Sequence, residues 1–437
     1  METAAGNGRP GLSLQALLPS MLLWLVLALL PLGRLSELPL LAGAAWGLWL
    51  ALRDGQRLWA MPGVRLAVVL FACYWLPALV SAFDAVAPGK TWPQVAAQLR
   101  FLPFAVFAVA TVREPAQWQW LLRASALLVA VWVLDGWVQA FTGVSLGGHM
   151  EGDRLSGIFG ADNLKLGGVV AAVSPLLLAF VQQRLGWRGV FVTAVAVAGV
   201  VLLAGARAAW LVYALVLAGV CLRPFAGRAR RALAMLAALF VAAAVLAYTA
   251  YLASPMFAAR VDRTLLLLDG DSDGVDHALA GRLPIWRTAR DMALAHPFNG
   301  VGVRGFRHDY LKHAAPGDPW RAEQGAFHPH QLVLEVATET GGAGLIAWLL
   351  GVVLLWRGVH RVAPDARLRA WPPLLGLAAT CFPLNTHYAF YSSWWGLFFW
   401  WLLALVLAAL FADGEGRRPG GGLPAGTRPR GDAAVPA

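Results

Sequence analysis

Residues 325–350 read Gly325-Ala-Phe-His328-Pro-His330-Gln-Leu-Val-Leu-Glu335-Val-Ala-Thr-Glu339-Thr-Gly341-Gly-Ala-Gly344-Leu-Ile-Ala-Trp348-Leu-Leu350, a polar stretch that gives way within a few residues to an apolar helix. Polar character reaches back from this junction to residue 254, and before that the chain is apolar again. Segment 254–330 is therefore a single polar island. It holds His277, His296, His308, His313, His328 and His330, six of the nine histidines, together with nine Lys/Arg and nine Asp/Glu.

The rest of the 437 residues reads as membrane scaffold. The sequence is 59% hydrophobic and 14% charged, with a mean hydropathy of +0.61, far from the composition of a soluble globular chain. Apolar runs long enough to cross about 30 Å of hydrocarbon fall at 16–33, 35–52, 65–83, 99–112, 121–142, 164–182, 189–206, 208–222, 232–253, 331–356, 371–388 and 393–412. The expected fold is thus an all-α polytopic membrane protein of about 12 spans. Its domains would be 1–253 with nine spans, 254–330 as an inserted helical loop subdomain, 331–412 with three more spans, and 413–437 as a Gly/Pro/Arg-rich disordered tail.

Positive charge sets the orientation, because Lys and Arg concentrate in cytoplasmic loops. With the N-terminus inside, the loops assigned to the cytoplasm carry Arg9, Arg53, Arg57, Arg65, Arg113, Arg123, Arg184, Arg188, Arg223, Arg228, Arg230, Arg231, Arg357, Arg361, Arg367 and Arg369. The tail adds four more arginines, which brings these segments to more than half of the 35 Lys and Arg. Short loops on the other side carry only Arg34, Lys90, Arg100, Arg154, Lys165 and Arg207. Both termini are then cytoplasmic and the island is external. A net charge of +11 scattered in this way serves orientation and argues against nucleic-acid binding. Cys73, Cys221 and Cys381 all fall inside predicted spans, so no disulfide framework or thiolate metal site is expected. The first span lacks a small-residue cleavage site and reads as a retained helix.

Within the island, Leu283, Trp286, Ala289 and Ala293 recur at helical spacing and Pro284 suits a first turn, which predicts an amphipathic helix from Arg282 to His296. Pro297 and Asn299-Gly-Val-Gly302 end it, Phe306–Leu311 predicts a second short helix, and residues 314–326 read as loop. The run Asp269-Gly-Asp271-Ser-Asp273-Gly274 matches the first half of a calcium loop. The position that needs a bidentate Glu is Ala280, so the run reads as a solvated acidic turn and no metal site is expected.

A charge at membrane depth costs a few kcal/mol, so each one invites a functional reading. Arg154 precedes the sixth span, with Lys165 near that span's external end. Arg207 interrupts two apolar runs in Ala204-Gly-Ala-Arg-Ala-Ala-Trp210, where small neighbours let another group approach. Arg282 and Arg287 lie on the predicted island helix, and Arg282 at its start is opposed by the helix dipole. Structural alternatives stand beside these readings: Arg207 snorkelling to the interface, Arg154 paired with Asp153 or Asp162, Arg287 paired with Asp291 at i+4, and His328 and His330 as plain loop residues. Several guanidinium forks beside an imidazole suit a pyrophosphate, and a polyprenyl diphosphate sugar presents one at this depth. An imidazole near neutral pH accepts a proton from an attacking sugar hydroxyl. A helix N-terminus keeps His330 neutral, while His328 and Glu335 are supporting candidates.

Four motifs in order carry a resemblance: Ala206-Arg207-Ala-Ala-Trp210; Gly281-Arg-Leu-x-Ile-Trp286; His296-Pro-Phe-x-Gly-Val-Gly302-x-x-x-Phe306; and His328-Pro-His330-x-x-x-Leu-Glu335-x-x-x-Glu339-x-Gly341-x-x-Gly344. Over residues 200–350 the chain resembles the O-antigen ligase and polymerase superfamily, and its span count and large loop are most similar to the ligases. The resemblance implies a GT-C-type, inverting, metal-independent glycosyltransferase without cofactor, in the bacterial inner membrane with its active site in the periplasm. It would move glycan from undecaprenyl diphosphate to the lipid A core among membrane lipids. It further implies His330 as catalytic residue and Arg207 and Arg282 as donor-diphosphate ligands, with Arg154 and Lys165 added to that set. Relatives often follow the histidine with Asn, where this chain has Gln331. An O-antigen polymerase, an O-linked oligosaccharyltransferase and, from another class, a transporter of anionic solutes remain open alternatives; a transporter would place its charges near the midplane of interrupted helices.

Overall fold

Lipid offers the backbone no hydrogen-bond partners, so a chain of this composition closes its polar groups within helices. The computed structural model describes residues 13–152, 154–161, 163–222, 229–266, 276, 279–386 and 388–412. The acidic turn at 269–274, the suggested Arg154 partners Asp153 and Asp162, and the tail from Asp413 lie outside the described residues. The structure is 79% helical, with one two-stranded antiparallel ribbon pairing Val144–Ser145 with Gly148–His149.

The helices are α1 (Leu14–Ala28), α2 (Glu37–Ala60), α3 (Pro62–Ser81), α4 (Pro88–Gln98), α5 (Phe101–Thr111), α6 (Pro115–Thr142), α7 (Lys165–Leu203), α8 (Arg207–Leu222) and α9 (Ala229–Ala253). They continue as α10 (Pro255–Leu265), α11 (Leu283–Ala295), α12 (Phe306–His313), α13 (Leu332–Arg361), α14 (Pro364–Thr380) and α15 (Ser393–Phe411). Among the described residues 8 helical stretches are long and apolar enough to cross a membrane, and α1 and α8 are shorter apolar helices. The eight fall short of the twelve expected runs for definite reasons. α1, α8 and α14 are each under 18 residues, and α7 carries two of the runs.

α7 reverses at Gly186, whose φ of 64° and ψ of −161° interrupt the helix. A Cβ on Gly167 would meet that of Ala204 at 3.0 Å, and one on Gly189 would meet Val181 at 3.0 Å. Residues eight apart in a straight helix are separated by about 12 Å. The two halves of α7 are therefore an antiparallel hairpin. α13 has the same break at Gly341 (φ 66°, ψ −164°), and a Cβ on Gly344 would lie 3.3 Å from Val336. The expected continuous span 331–356 is thus a short segment, Leu332 to Thr340, folded back onto a longer one.

α15 lies at the centre of the bundle: 83% of its most apolar window is buried in protein, against 11% for α9 at the periphery. Without water to drive helices together, small residues at the contacts let backbones approach. A Cβ on Gly47 would meet the Pro103 carbonyl at 1.9 Å between α2 and α5, and one on Gly376 would meet the Ala172 carbonyl at 2.3 Å between α14 and α7.

The island helices match their sequence reading and build a small core of their own. Ile285, Ala289 and Met292 from α11 pack with Val301, Phe306, Tyr310, Ala314 and Ala326, against Val86 of the α3–α4 loop and Leu334 of α13. Each fully buried large apolar side chain there contributes roughly 1.5–3 kcal/mol. Asp318 fastens the following loop, accepting from the Tyr310 hydroxyl at 2.8 Å, the Thr288 hydroxyl at 3.3 Å and the Trp320 amide at 2.8 Å.

The segment Pro297–Val303 locks island to bundle. At the Gly341 break the helix leaves carbonyls and amides without intrahelical partners, and this segment satisfies them. Val301 and Gly302 amides donate to the Thr338 and Glu339 carbonyls at 2.8 and 3.1 Å, while the Gly342 and Ala343 amides donate to Pro297 and Phe298 carbonyls at 2.8 and 3.1 Å. On its other side the Val86 amide donates to the Val301 carbonyl at 3.1 Å, and the Thr91 hydroxyl donates to the Val303 carbonyl at 3.0 Å.

Candidate active site

The helix expected to run on to residue 388 ends instead at Thr380. Pro383 cannot donate a backbone hydrogen bond and Asn385 favours a turn, so residues 381–386 and 388–392 form irregular chain between α14 and α15. Non-helical backbone at such a place is tolerated where protein satisfies its polar groups. Glu335, buried on the short first segment of α13, does so by accepting from the Phe390 amide at 2.9 Å and the Tyr391 amide at 3.1 Å. The Thr386 carbonyl is turned toward His330, whose Nδ1 lies 2.8 Å away.

That contact fixes the imidazole. A carbonyl only accepts, so Nδ1 of His330 carries the proton and Nε2 keeps its lone pair. His330 has φ 54°, a left-handed conformation that costs a non-glycine residue of order 1–2 kcal/mol and that the surroundings must hold. They do so from two sides. The His330 amide donates to Nδ1 of His328 at 3.2 Å, with the rings 3.9 Å apart, and the Trp286 indole of α11 donates to the Pro329 carbonyl at 3.0 Å. Burial, aided by the positive charge of Arg282 and opposed by the Thr386 hydrogen bond, pushes His330 down to about 4. The ring is neutral at pH 7.

Arg282 caps α11. The Trp320 indole donates to the Gly281 carbonyl at 2.9 Å and Asp276 accepts from the Leu283 amide at 2.9 Å, fixing the chain on both sides of it. Burial, reinforced by the charge of Arg207, pushes Arg282 down to about 10, so it remains cationic. Arg207 opens α8 and feels the charges of Arg263 and Arg154; its Nη1 donates to the Thr264 hydroxyl at 3.3 Å. Among the described residues no carboxylate lies within ion-pair distance of Arg207, Arg263 or Arg282. Gly205 explains how cations crowd here: with φ +72°, it has the Arg260 Nη1 at 2.9 Å and the Arg154 Cγ at 3.1 Å from where a Cβ would sit. The small neighbours of Arg207 do admit other groups.

Charge interactions thus link Arg154 to Arg207, Arg207 to Arg282 and Arg282 to His330, while His328 holds the His330 amide and Glu335 holds the segment that follows Thr386. Two further expected residues have their own surroundings. Lys165 places its ammonium 4.7 Å over the Trp394 ring, and Arg287 is exposed on the solvent face of α11. Arg154 also lines a cavity of about 230 Å³ with Glu151, Ser156 and Asn163, whereas the larger apolar cavity, about 640 Å³ between α2, α3 and α5, touches none of the site residues. Sequence reasoning missed Arg260 and Arg263 of α10. Their i, i+3 spacing after Pro255 was the available signal, since it puts both on one helix face.

Fold and site together define a polytopic all-α membrane protein with a group of arginines beside a neutral histidine. Residues 192–349 match the family model described as O-antigen ligase. The matched segment contains Arg207, Arg260, Arg263, Arg282, His330, Glu335 and the Gly341 break; Arg154 and Lys165 lie before it. No curated protein matches the chain.

Proposed function

We propose that the protein is an O-antigen ligase of the bacterial inner membrane, transferring glycan from undecaprenyl diphosphate to a sugar hydroxyl of the lipid A core at its periplasmic face, with both termini in the cytoplasm. The observation that carries this reading is the neutral His330, with Nε2 free, beside Arg282 and, through it, Arg207. Arg207, Arg282 and Arg154 hold the donor diphosphate, with Lys165 at the start of α7 added to that set. The acceptor hydroxyl attacks the anomeric carbon from the face opposite the diphosphate. Its proton passes to His330 Nε2, the new glycosidic bond forms, and the bond to the diphosphate oxygen breaks with inversion. Undecaprenyl diphosphate leaves with the electron pair.

The arginines stabilise the charge that grows on the leaving oxygen, a contribution made mainly in the transition state. Arginine suits this role because its fork pairs two phosphate oxygens at once. Diphosphate binding also relieves the mutual repulsion of Arg207 and Arg282 and offsets the positive field on His330, strengthening it as a base when the substrate is in place. No step calls on a metal.

The test is reconstitution. The purified protein, given undecaprenyl-diphosphate glycan and lipid A core, should yield glycosylated core and free undecaprenyl diphosphate. Glycan lengthened on the lipid donor, with the core unmodified, would favour the polymerase instead, and transfer to a protein serine would favour an oligosaccharyltransferase.

A further inference from the structure

Away from the group of arginines, three side chains of the island converge on one point. His296 ends α11, Asp309 lies in the first turn of α12, and His313 ends α12 one turn later. The Nε2 atoms of His296 and His313 lie 3.6 and 3.0 Å from the same oxygen, Asp309 Oδ2. All three prospective donor atoms are within 4.8 Å of one another. We infer that His296, Asp309 and His313 form a zinc site that pins the end of α11 to α12.

The geometry suits that ion. Zinc takes nitrogen at about 2.0–2.1 Å and carboxylate oxygen at about 2.0–2.2 Å in tetrahedral array, which spaces its ligand atoms by ~3.3 Å. The separations of 3.0 and 3.6 Å bracket that value. Two imidazoles and one carboxylate favour zinc over magnesium or calcium, which prefer oxygen. Asp309 is 1% exposed while the His296 side chain is 39% exposed, so solvent reaches the fourth position from the histidine side. The second carboxylate oxygen is held by Lys312 Nζ at 2.5 Å, the kind of outer partner that orients a ligating carboxylate.

The site's place in the fold gives it a structural role. His296 directly precedes Pro297, whose carbonyl receives the Gly342 amide at the α13 break. An ion joining α11 to α12 at this point tightens the loop that docks the island on the bundle.

The test uses the full-length protein in detergent, purified with a histidine-free tag and stripped with EDTA, then titrated with Zn²⁺ while bound zinc and the thermal midpoint are measured. One zinc per chain is expected beyond that bound by the His296→Ala/His313→Ala variant, whose affinity should fall by about 100-fold or more. The midpoint of the wild type should rise with Zn²⁺ and stay unchanged with Mg²⁺. His308→Ala, on the same helix but outside the cluster, should bind zinc as the wild type does and so controls for folding. Equal zinc binding by wild type and double variant, or no midpoint response in the wild type, would show a hydrogen-bonded His–Asp–His cluster only and overturn the inference.

Discussion

His330 Nδ1 sits 2.8 Å from the Thr386 carbonyl, 56 residues away in sequence, and this one contact decides which imidazole nitrogen is available for chemistry. The burial of the same ring predicts an unusual pH profile. With His330 pushed down to about 4 by burial and by Arg282, the acid limb of kcat/KM should fall well below the usual histidine value of about 6.5. The depressed value also bears on stability. Between about pH 6.5 and pH 4 the unfolded chain binds a proton that the folded one refuses, so stability contributed by the neutral ring is lost as pH falls through that window. Thermal midpoints measured from pH 7 to pH 4.5 should drop more steeply for the wild type than for His330→Gln; parallel curves would contradict the buried neutral ring.

Arg282→Ala and Arg207→Ala each remove one fork from the proposed diphosphate pocket. Loss of a group that stabilises leaving-group charge lowers turnover by about 10²–10³-fold, and steady-state kinetics should show it together with a raised KM for donor. Arg207→Lys keeps the charge and loses the bidentate geometry, so it should fall between wild type and alanine. Wild-type kinetics in both alanine variants would remove the arginine clamp.

Gly341→Ala tests the dock between island and bundle. The new Cβ would lie 2.4 Å from the Phe298 carbonyl and 2.5 Å from the Asn299 nitrogen, at φ +66°. Backbone strain alone costs of order 1–3 kcal/mol, and displacement of Pro297–Val303 adds to it. A markedly lowered thermal midpoint with reduced transfer is expected; a midpoint within a degree of the wild type would contradict the clamp.

Glu335→Ala strips the acceptor from the Phe390 and Tyr391 amides, leaving two buried donors unpaired at about 1–3 kcal/mol each. Because those amides belong to the same irregular segment as Thr386, turnover should fall as well. Glu335→Gln retains one acceptor oxygen and should recover part of both losses, which thermal melts and transfer assays would show.

Much of this was legible in the sequence because helices in lipid follow simple rules of length and polarity. The island helices, the His328-Pro-His330 junction and the approach of other groups to Arg207 all follow from periodicity and from neighbouring small residues. The fold-back at Gly341 did not, since glycine inside an apolar run gives no sign of whether it bends the chain. The end of α14 at Thr380 was hidden by an apolar run that continues through Pro383. Thr386 acts through a backbone carbonyl, for which residue type carries no signal. Arg260 and Arg263 belong to none of the sequence motifs, and it is α10 that brings them to Gly205 and Arg207.

The central claim is that His330 takes the acceptor proton while the arginines hold the donor. Single-turnover transfer by purified His330→Ala, measured alongside its binding of undecaprenyl-diphosphate glycan, addresses it most directly. The variant should bind donor as the wild type does and transfer about 10²–10⁴-fold more slowly. Transfer at the wild-type rate would contradict the role of His330 as base.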